Sequence, residues 1–204
     1  MKTSMLFSTF PFITSERVTL SRMMETDAKS LWEVMSDDEN YRYNPDGALR
    51  TIEDVILKIQ QIDSIFQEEK AVVLGIYAND NLNKLLGFFE IADINTEIDC
   101  VTIGFMVNRS YTGRGYATAA VDAAGKYLFE KVRVNRIQAY VMPTNTRSEQ
   151  LMAHCGFIKE GVIREGFLWP DKGLVDLSLY SMLKSDYMKR KKGDEPFTRH
   201  NIVF

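Results

Sequence analysis

Val107-Asn108-Arg109-Ser110-Tyr111-Thr112-Gly113-Arg114-Gly115-Tyr116-Ala117-Thr118-Ala119 is the stretch on which the reading of this chain turns. Ahead of it, Cys100–Val107 is a strand-like run. Behind it, Ala117, Ala120, Val121, Ala124 and Leu128 recur at helical spacing, and their small size lets that helix lie close against a sheet. Gly113 and Gly115 tolerate backbone angles closed to other residues, so successive N–H groups converge in the turn. The helix start adds its positive end. Strand, glycine turn and helix start together make an anion site suited to a pyrophosphate. A Gly-x-Gly turn alone serves equally well as a plain strand-to-helix connection. Rival phosphate motifs fit worse. No Gly-Lys-Ser/Thr follows, Thr118 stands where a dinucleotide fingerprint needs its third glycine, and no strand–turn–helix near the N-terminus hosts either motif.

Outward from that stretch, Glu16–Arg22 alternates as a first strand. A helix follows over Glu25–Met35, with Ala28, Leu31, Trp32 and Met35 on one stripe, and then a polar loop over residues 37–50. Thr51-Ile52-Glu53-Asp54 reads as a capping box, and Ile52, Val55, Ile56, Ile59, Ile62 and Phe66 mark one face of a long helix. Ala71–Ala78 and Lys84–Ala92 flank the turn-rich Asn79–Asn83 as a hairpin. Beyond the central helix come a strand at Arg136–Met142, a short helix at Asn145–Cys155 ended by Gly156, and strands at Phe157–Glu165 and Gly173–Leu183 joined by Leu168–Gly173. The order β-α-α-β-β-β-α-β-α-β-β predicts an α+β (mixed α/β) sheet with helices on its faces.

The 204 residues are 45% hydrophobic and 11% aromatic, enough for one well-filled core, and the net charge of −3 gives no global field toward nucleic acid. Cys100 and Cys155 read as buried free thiols of a reducing compartment. With His154 and His200 as the only histidines, no metal site is expected. Lys2 and Met5-Leu6-Phe7 are followed by Ser8, Thr9 and Pro11 with no small-residue cleavage site, so the start reads as an arm, not a secretory leader. No segment approaches the length of a membrane span. The expected organisation is an N-terminal arm (1–15), one domain (16–184) and a basic tail (185–204), in a cytoplasmic protein that engages neither membrane nor nucleic acid. Lys189-Arg190-Lys191-Lys192-Gly193 reads as a solvated helix end.

Three features stand in order: the strand Ile103–Val107, the loop Thr112–Ala117, and Asn145-x-x-Ser148 ahead of Cys155-Gly156-Phe157. This set resembles the GNAT superfamily of acyltransferases, and within it the RimJ/RimL-like branch that acetylates N-termini of ribosomal proteins. Gly161–Gly166 and Asp176–Leu183 also fit that branch. The resemblance runs from Glu16 to Leu183 and is strongest between Ile103 and Ile163. It implies a central, mostly antiparallel, splayed sheet of six to seven strands with helices on both faces. It also implies acetyl-CoA as co-substrate, no metal, and direct attack of a primary amine on the thioester. By similarity, Phe105, Met106 and Val107 contact the pantetheine arm, and one backbone N–H there polarises the thioester carbonyl. Thr112, Gly113, Arg114, Gly115, Tyr116, Ala117 and Thr118 would hold the pyrophosphate, with Asn145 and Ser148 on the cofactor arm. Relatives are monomers or homodimers.

The chain departs from the wider family at three positions. Thr112 opens the loop in place of Gln or Arg, Thr102 replaces a frequent Glu base, and Met152 replaces a frequent Tyr acid. Ser148 is then the candidate acid near the leaving sulfur, and Glu90, on the preceding strand, the candidate base. An exposed strand carboxylate with a water relay is the alternative for Glu90. Tyr111 and Trp169 read as packing residues. The acceptor should enter opposite the cofactor, between the loop Asp37–Arg50, the first two helices and the turn Leu168–Lys172. Asp37, Asp38, Glu39 and Asp46 suit a cationic amine, or simply a solvated loop. A protein N-terminus, a polyamine and an aminoglycoside all remain open as acceptors. A non-catalytic acyl-CoA-binding protein and a basic-tailed interaction module are the competing functions.

Overall fold

The long second helix starts where its capping residues require. In the computed structural model, which describes residues 1–192, the Thr51 hydroxyl accepts from the Asp54 amide at 3.1 Å and the Asp54 carboxylate accepts from the Thr51 amide at 3.2 Å. Two orphan donors of the first turn are thereby satisfied. In chain order the elements are α1 (Ser4–Phe7), β1 (Ile13–Thr14), β2 (Val18–Ser21), α2 (Ala28–Met35), α3 (Ile52–Gln67), β3 (Val72–Ala78), β4 (Asn81–Asn95) and β5 (Cys100–Val107). They continue as α4 (Tyr116–Tyr127), β6 (Arg136–Val141), α5 (Thr146–His154), β7 (Ile158–Trp169), β8 (Gly173–Leu183) and α6 (Lys184–Lys192).

One sheet of eight strands runs in the order β1-β2-β3-β4-β5-β6-β8-β7, antiparallel throughout except between β5 and β6. That is one strand more than expected. The addition, β1, is two residues long, too short to carry an alternating pattern. Other boundaries move for similar reasons. α2 is entered through a 3-10 turn at Glu25–Asp27, and the polar loop holds another at Asn40–Tyr43. β4 starts at Asn81, inside the expected turn. β7 continues past Glu165 to Trp169 through register shifts at Gly161 and between Ile163 and Phe167. Bulges of this kind break the period of two that marks a strand in sequence.

β3 is buried along its whole length, as a central strand covered on both sides must be. On one face α4 packs Ala120, Val121, Ala124 and Leu128 into the main core with Leu74, Ile76, Phe89 and Ile137. On the other, α2 and α3 bury Leu31, Val34, Val55, Ile59 and Ile62 against Val73, Tyr77 and Leu85. Residues 1–15 are packed down: Leu6 and Ile13 belong to the main core, and the Phe10 ring stacks on Phe66 at 3.7 Å between centroids. Past β8, Tyr187 of α6 stacks on Phe129 and donates to Glu130 at 2.6 Å, and Lys191 pairs with the same carboxylate at 2.7 Å. The expected tail beyond Lys192, with His200, lies outside the described residues. Both cysteines are buried and unpaired. Among the described residues no helix is long and apolar enough to cross a membrane.

The functional consequence of this topology is a split. β5 pairs with β6 only at Cys100–Thr102, opposite Arg136–Gln138, while on its other side it stays paired with β4 as far as Gly87–Val107. From Ile103 onward, the β6-facing edge of β5 has no strand paired to it among the described residues.

Candidate active site

The turn after β5 is held in shape by its own side chains. Asn108, 6% exposed, accepts from the Ser110 amide at 2.9 Å, and the Thr112 hydroxyl donates to the Arg109 carbonyl at 2.8 Å. Gly113 and Gly115 then take φ of 75° and 79°, the left-handed region that favours glycine. Gly115 is the N-cap of α4 and brings no side chain to it. Among the described residues no protein acceptor pairs with the amides of Gly113 to Thr118. A Cβ placed on Gly113 would meet nothing within 4 Å, so this surface is open. Arg17, just ahead of β2, braces the turn, donating to the Arg114 carbonyl at 2.9 Å with its guanidinium 5.5 Å from the Tyr116 ring centre. Free donors in a row, at the positive end of a helix, are what a diphosphate needs.

Those amides open onto a cleft of ≈ 950 Å³ that runs into the split of the sheet. Phe105, Met106 and Val107 line it from β5, Thr112, Gly113, Gly115, Tyr116 and Ala117 from the turn, and Asn145 and Ser148 from the start of α5. The sequence-predicted cofactor set is thus brought together around one cavity. Arg114 and Thr118 belong to the turn without facing the cleft. Asn145 caps α5, its side chain accepting from the Ser148 amide at 3.2 Å. Met152, at the position where many relatives carry Tyr, is 1% exposed and belongs to the core, whereas Ser148 and Leu151 face the cleft.

Some contributors were not read from the sequence. Arg42, Arg109 and Arg147 line the same cleft and supply positive charge along it. Only the place of Arg147, two residues after Asn145, could have suggested it. Gly87 is the second. A Cβ there would lie 2.0 Å from the Met106 carbonyl oxygen, so the end of β5 presses onto β4 in a way that only glycine permits. The signal was a glycine inside the strand run Lys84–Ala92.

Glu90 stands apart from the cleft lining. Its Cα partner across the ladder is Gly104, and a Cβ on Gly104 would lie 3.6 Å from a Glu90 carboxylate oxygen. The missing side chain therefore leaves room for Glu90 above β5, on the α3 side of the split. Burial raises its pKa, Lys58 opposes the rise, and Asp46 and Asp93 reinforce it. Thr102 on the same strand face accepts from Gln138 at 3.2 Å.

Three of the four carboxylates of the acidic loop are already paired with a cation. Asp38 pairs with Arg50 at 2.8 Å, Glu39 with Arg42 at 4.0 Å and Asp46 with Lys58 at 3.6 Å, while Asp37 accepts from the Glu39 amide at 3.0 Å. The same loop bridges the cleft. The Tyr43 hydroxyl donates to the Thr144 carbonyl at 3.1 Å, and Lys172 donates to the Arg42 carbonyl at 2.8 Å. Tyr111 and Trp169 pack as expected: Tyr111 lies edge-on to Tyr116, and the Lys172 ammonium sits 4.0 Å from the centre of the Trp169 ring. Among the described residues no cluster of His, Cys, Asp and Glu could hold a metal ion.

The acetyltransferase (GNAT) domain family matches residues 17–158, well over half of the chain. The uncharacterized N-acetyltransferase p20 of Bacillus licheniformis is 31% identical over 174 residues, covering 85% of this chain and 96% of that protein. The [ribosomal protein uS5]-alanine N-acetyltransferase of Escherichia coli is 25% identical over 126 residues, 59% of this chain and 64% of that one. Among solved structures, a GNAT-family acetyltransferase from Bacillus anthracis superposes with a TM-score of 0.75 at 26% identity, covering 86% of this chain and 99% of that one. With the glycine turn, the split sheet and the family match in agreement, the chain belongs to the GNAT family of acetyltransferases and is an acetyl-CoA-dependent N-acetyltransferase.

Proposed function

We propose that the protein is a cytoplasmic enzyme that passes the acetyl group of acetyl-CoA to a primary amine by direct attack, with a protein N-terminal α-amine as the acceptor. The observation that carries this reading is the run of partnerless amides from Gly113 to Thr118 beside the unpaired edge of β5. Acetyl-CoA supplies the activated acyl group. The amides of the turn hold its diphosphate, and Arg109 and Arg147 add charge along the cleft. The open edge of β5 at Phe105–Val107 offers main-chain groups to the pantetheine arm, and an amide there is positioned to stabilise charge on the acyl oxygen. Asn145 keeps its amide N–H₂ for that arm while its oxygen caps α5.

Glu90 takes a proton from the acceptor ammonium, and the neutral amine then attacks the thioester carbon. Its half-buried carboxyl has a pKa raised by burial, which strengthens it as a base, and it lies opposite Gly104 on the α3 side of the split. Ser148, which lines the cleft, passes to the leaving sulfur the second proton that the nitrogen loses as the amide forms, so the hydroxyl gives one proton and takes one back. The catalytic unit is residues 16–184. The uS5-alanine acetyltransferase among the relatives supports a protein acceptor. The test couples calorimetric binding of CoA to a thiol-release screen over peptides, polyamines and aminoglycosides. Binding together with release from at least one amine supports the reading, and binding without release from any amine leaves only an acyl-CoA-binding protein.

A further inference from the structure

β6 carries a row of polar side chains on one face. Arg136, Gln138 and Tyr140 alternate with the buried Ile137, Ala139 and Val141. The row is tied together. Gln138 Nε2 donates to the Tyr140 hydroxyl at 3.2 Å and to Thr102 Oγ1 on β5 at 3.2 Å, while Gln138 Oε1 accepts from Arg136 Nε at 3.1 Å. Arg136 is anchored in turn by two bonds to Glu160, at 2.7 and 2.8 Å. Because one nitrogen serves both hydroxyls, the Tyr140 oxygen stays within about two hydrogen-bond lengths of Thr102, and the phenol leans toward β5. Thr102 and Gln138 are the last pair before β5 and β6 part. Two residues on, Gly104 and Tyr140 stand on the same sheet face, one on either side of the gap. Glu90 reaches that point from β4. It pairs with Gly104, and a Cβ on Gly104 would meet the Glu90 side chain and no other residue within 4 Å. The floor over Gly104 is therefore open, with a carboxylate on one side and a phenol hydroxyl on the other. Tyr140 is 41% exposed, so this spot is reached from solvent, and it adjoins Phe105 and Met106 of the cleft. The Tyr140 oxygen accepts one hydrogen bond, from Gln138, and keeps a second lone pair for another donor.

Building on the transferase reading above, we infer that the acceptor nitrogen sits over Gly104, with one N–H on the Glu90 carboxylate and a second on the Tyr140 hydroxyl oxygen. A primary ammonium has three N–H groups and serves both acceptors at once. When Glu90 takes its proton, the bond to Tyr140 persists. The nitrogen stays above the gap while its freed lone pair turns to the thioester carbon, so Tyr140 supplies orientation and no proton. Gln138 is a positioning residue: braced by Arg136 and Glu160, it fixes the direction of the phenol.

Three variants of the full chain test the seat apart from the transferase reading. Tyr140→Phe keeps the ring and removes the hydroxyl. With CoA bound, the calorimetric Kd for hexylamine should rise about tenfold, the worth of one hydrogen bond. Kd for N,N-dimethylhexylamine, whose ammonium has a single N–H to give Glu90, should not move, and Kd for CoA should hold. Gly104→Ala places a methyl in the seat at 3.6 Å from Glu90, an ordinary contact, so it should melt like wild type and still weaken hexylamine. Gln138→Leu should weaken hexylamine alone but add little to Tyr140→Phe, because it acts through the phenol. In turnover with the fastest amine of the thiol-release screen, Tyr140→Phe should raise the acceptor KM about tenfold and leave the acetyl-CoA KM in place. Hexylamine binding that is absent in wild type, unchanged in Tyr140→Phe, or lost in step with CoA binding overturns the inference and leaves the transferase intact. The expected binding pattern without thiol release from any amine supports the seat and counts against the transferase.

Discussion

Replacing Gly115 with Asp separates ligand binding from folding more cleanly than most changes available in this chain. Gly115 holds φ at 79° and is the N-cap of α4, and a Cβ there would come 3.2 Å from Arg17 Nη1, the end of a flexible side chain that can give way. Placing an L-residue in the left-handed region costs about 1–2 kcal/mol. An N-cap carboxylate accepting from the amide of Ala117 or Thr118 returns only about a few tenths of a kcal/mol relative to glycine. Folding stability should therefore change little, by a few degrees in Tm at most. Ligand binding should not escape. The new carboxylate occupies amides otherwise free for the diphosphate, a loss of about 1.5–3 kcal/mol for a charged hydrogen bond. It also brings a negative charge to about 5 Å from the phosphates, worth about 3 kcal/mol at an effective dielectric of 20. Together these give about 4.5–6 kcal/mol, or on the order of 10³–10⁴-fold in Kd. Isothermal titration of acetyl-CoA into wild type and Gly115→Asp, with a melting curve for each, reads both quantities. A variant that melts like wild type and binds within twofold of it would refute the reasoning about these amides.

Four other expectations follow from the same structure. Gly87→Ala forces the end of β5 off Met106, so overpacking of about 2–3 kcal/mol should lower Tm by roughly 5–10 °C, and wild-type melting would remove the close approach as a constraint. Glu90→Gln should cut turnover about 10²–10⁴-fold with CoA affinity unchanged, and wild-type turnover should fall as pH drops through the raised Glu90 pKa; a variant as fast as wild type moves the base elsewhere. Ser148→Ala should slow turnover about 10²-fold and leave CoA binding nearly intact, with equal turnover excluding it as the acid. Arg136 and the Ser181 hydroxyl hold the Glu160 carboxyl down at about 2. A depressed pKa gives stability that is present above the ordinary value of 4.5 and is lost as pH falls toward 2, so Glu160→Gln should flatten denaturant stability against pH in that window, and parallel curves would contradict this.

The glycine turn after β5 was legible because its physics is local. Two glycines, a preceding strand and a following helix fix the direction of a few amides whatever the rest of the chain does. The capping box at Thr51–Asp54 was legible for the same reason. What escaped reading depends on neighbours that sequence spacing does not reveal. β1 has two residues and exists only because β2 offers an edge. The acidic loop read equally as a cation site or a solvated loop, because sequence spacing does not reveal that folding brings Arg50 and Lys58 to Asp38 and Asp46. The departure at Met152 looked like a lost catalytic group, yet that side chain points into the core and the hydroxyl facing the cleft is Ser148. Gly87 carries its meaning only through the carbonyl of Met106 on the next strand.

A crystal structure of the protein with coenzyme A puts all of this to its most direct test. Diphosphate oxygens should lie about 2.7–3.2 Å from amides between Gly113 and Thr118, with the thiol reaching the gap where β5 parts from β6. Coenzyme A seated instead in the other groove, of ≈ 380 Å³ between α4 and α6 over Val121, Phe157 and Met182, with the turn unengaged, would contradict it.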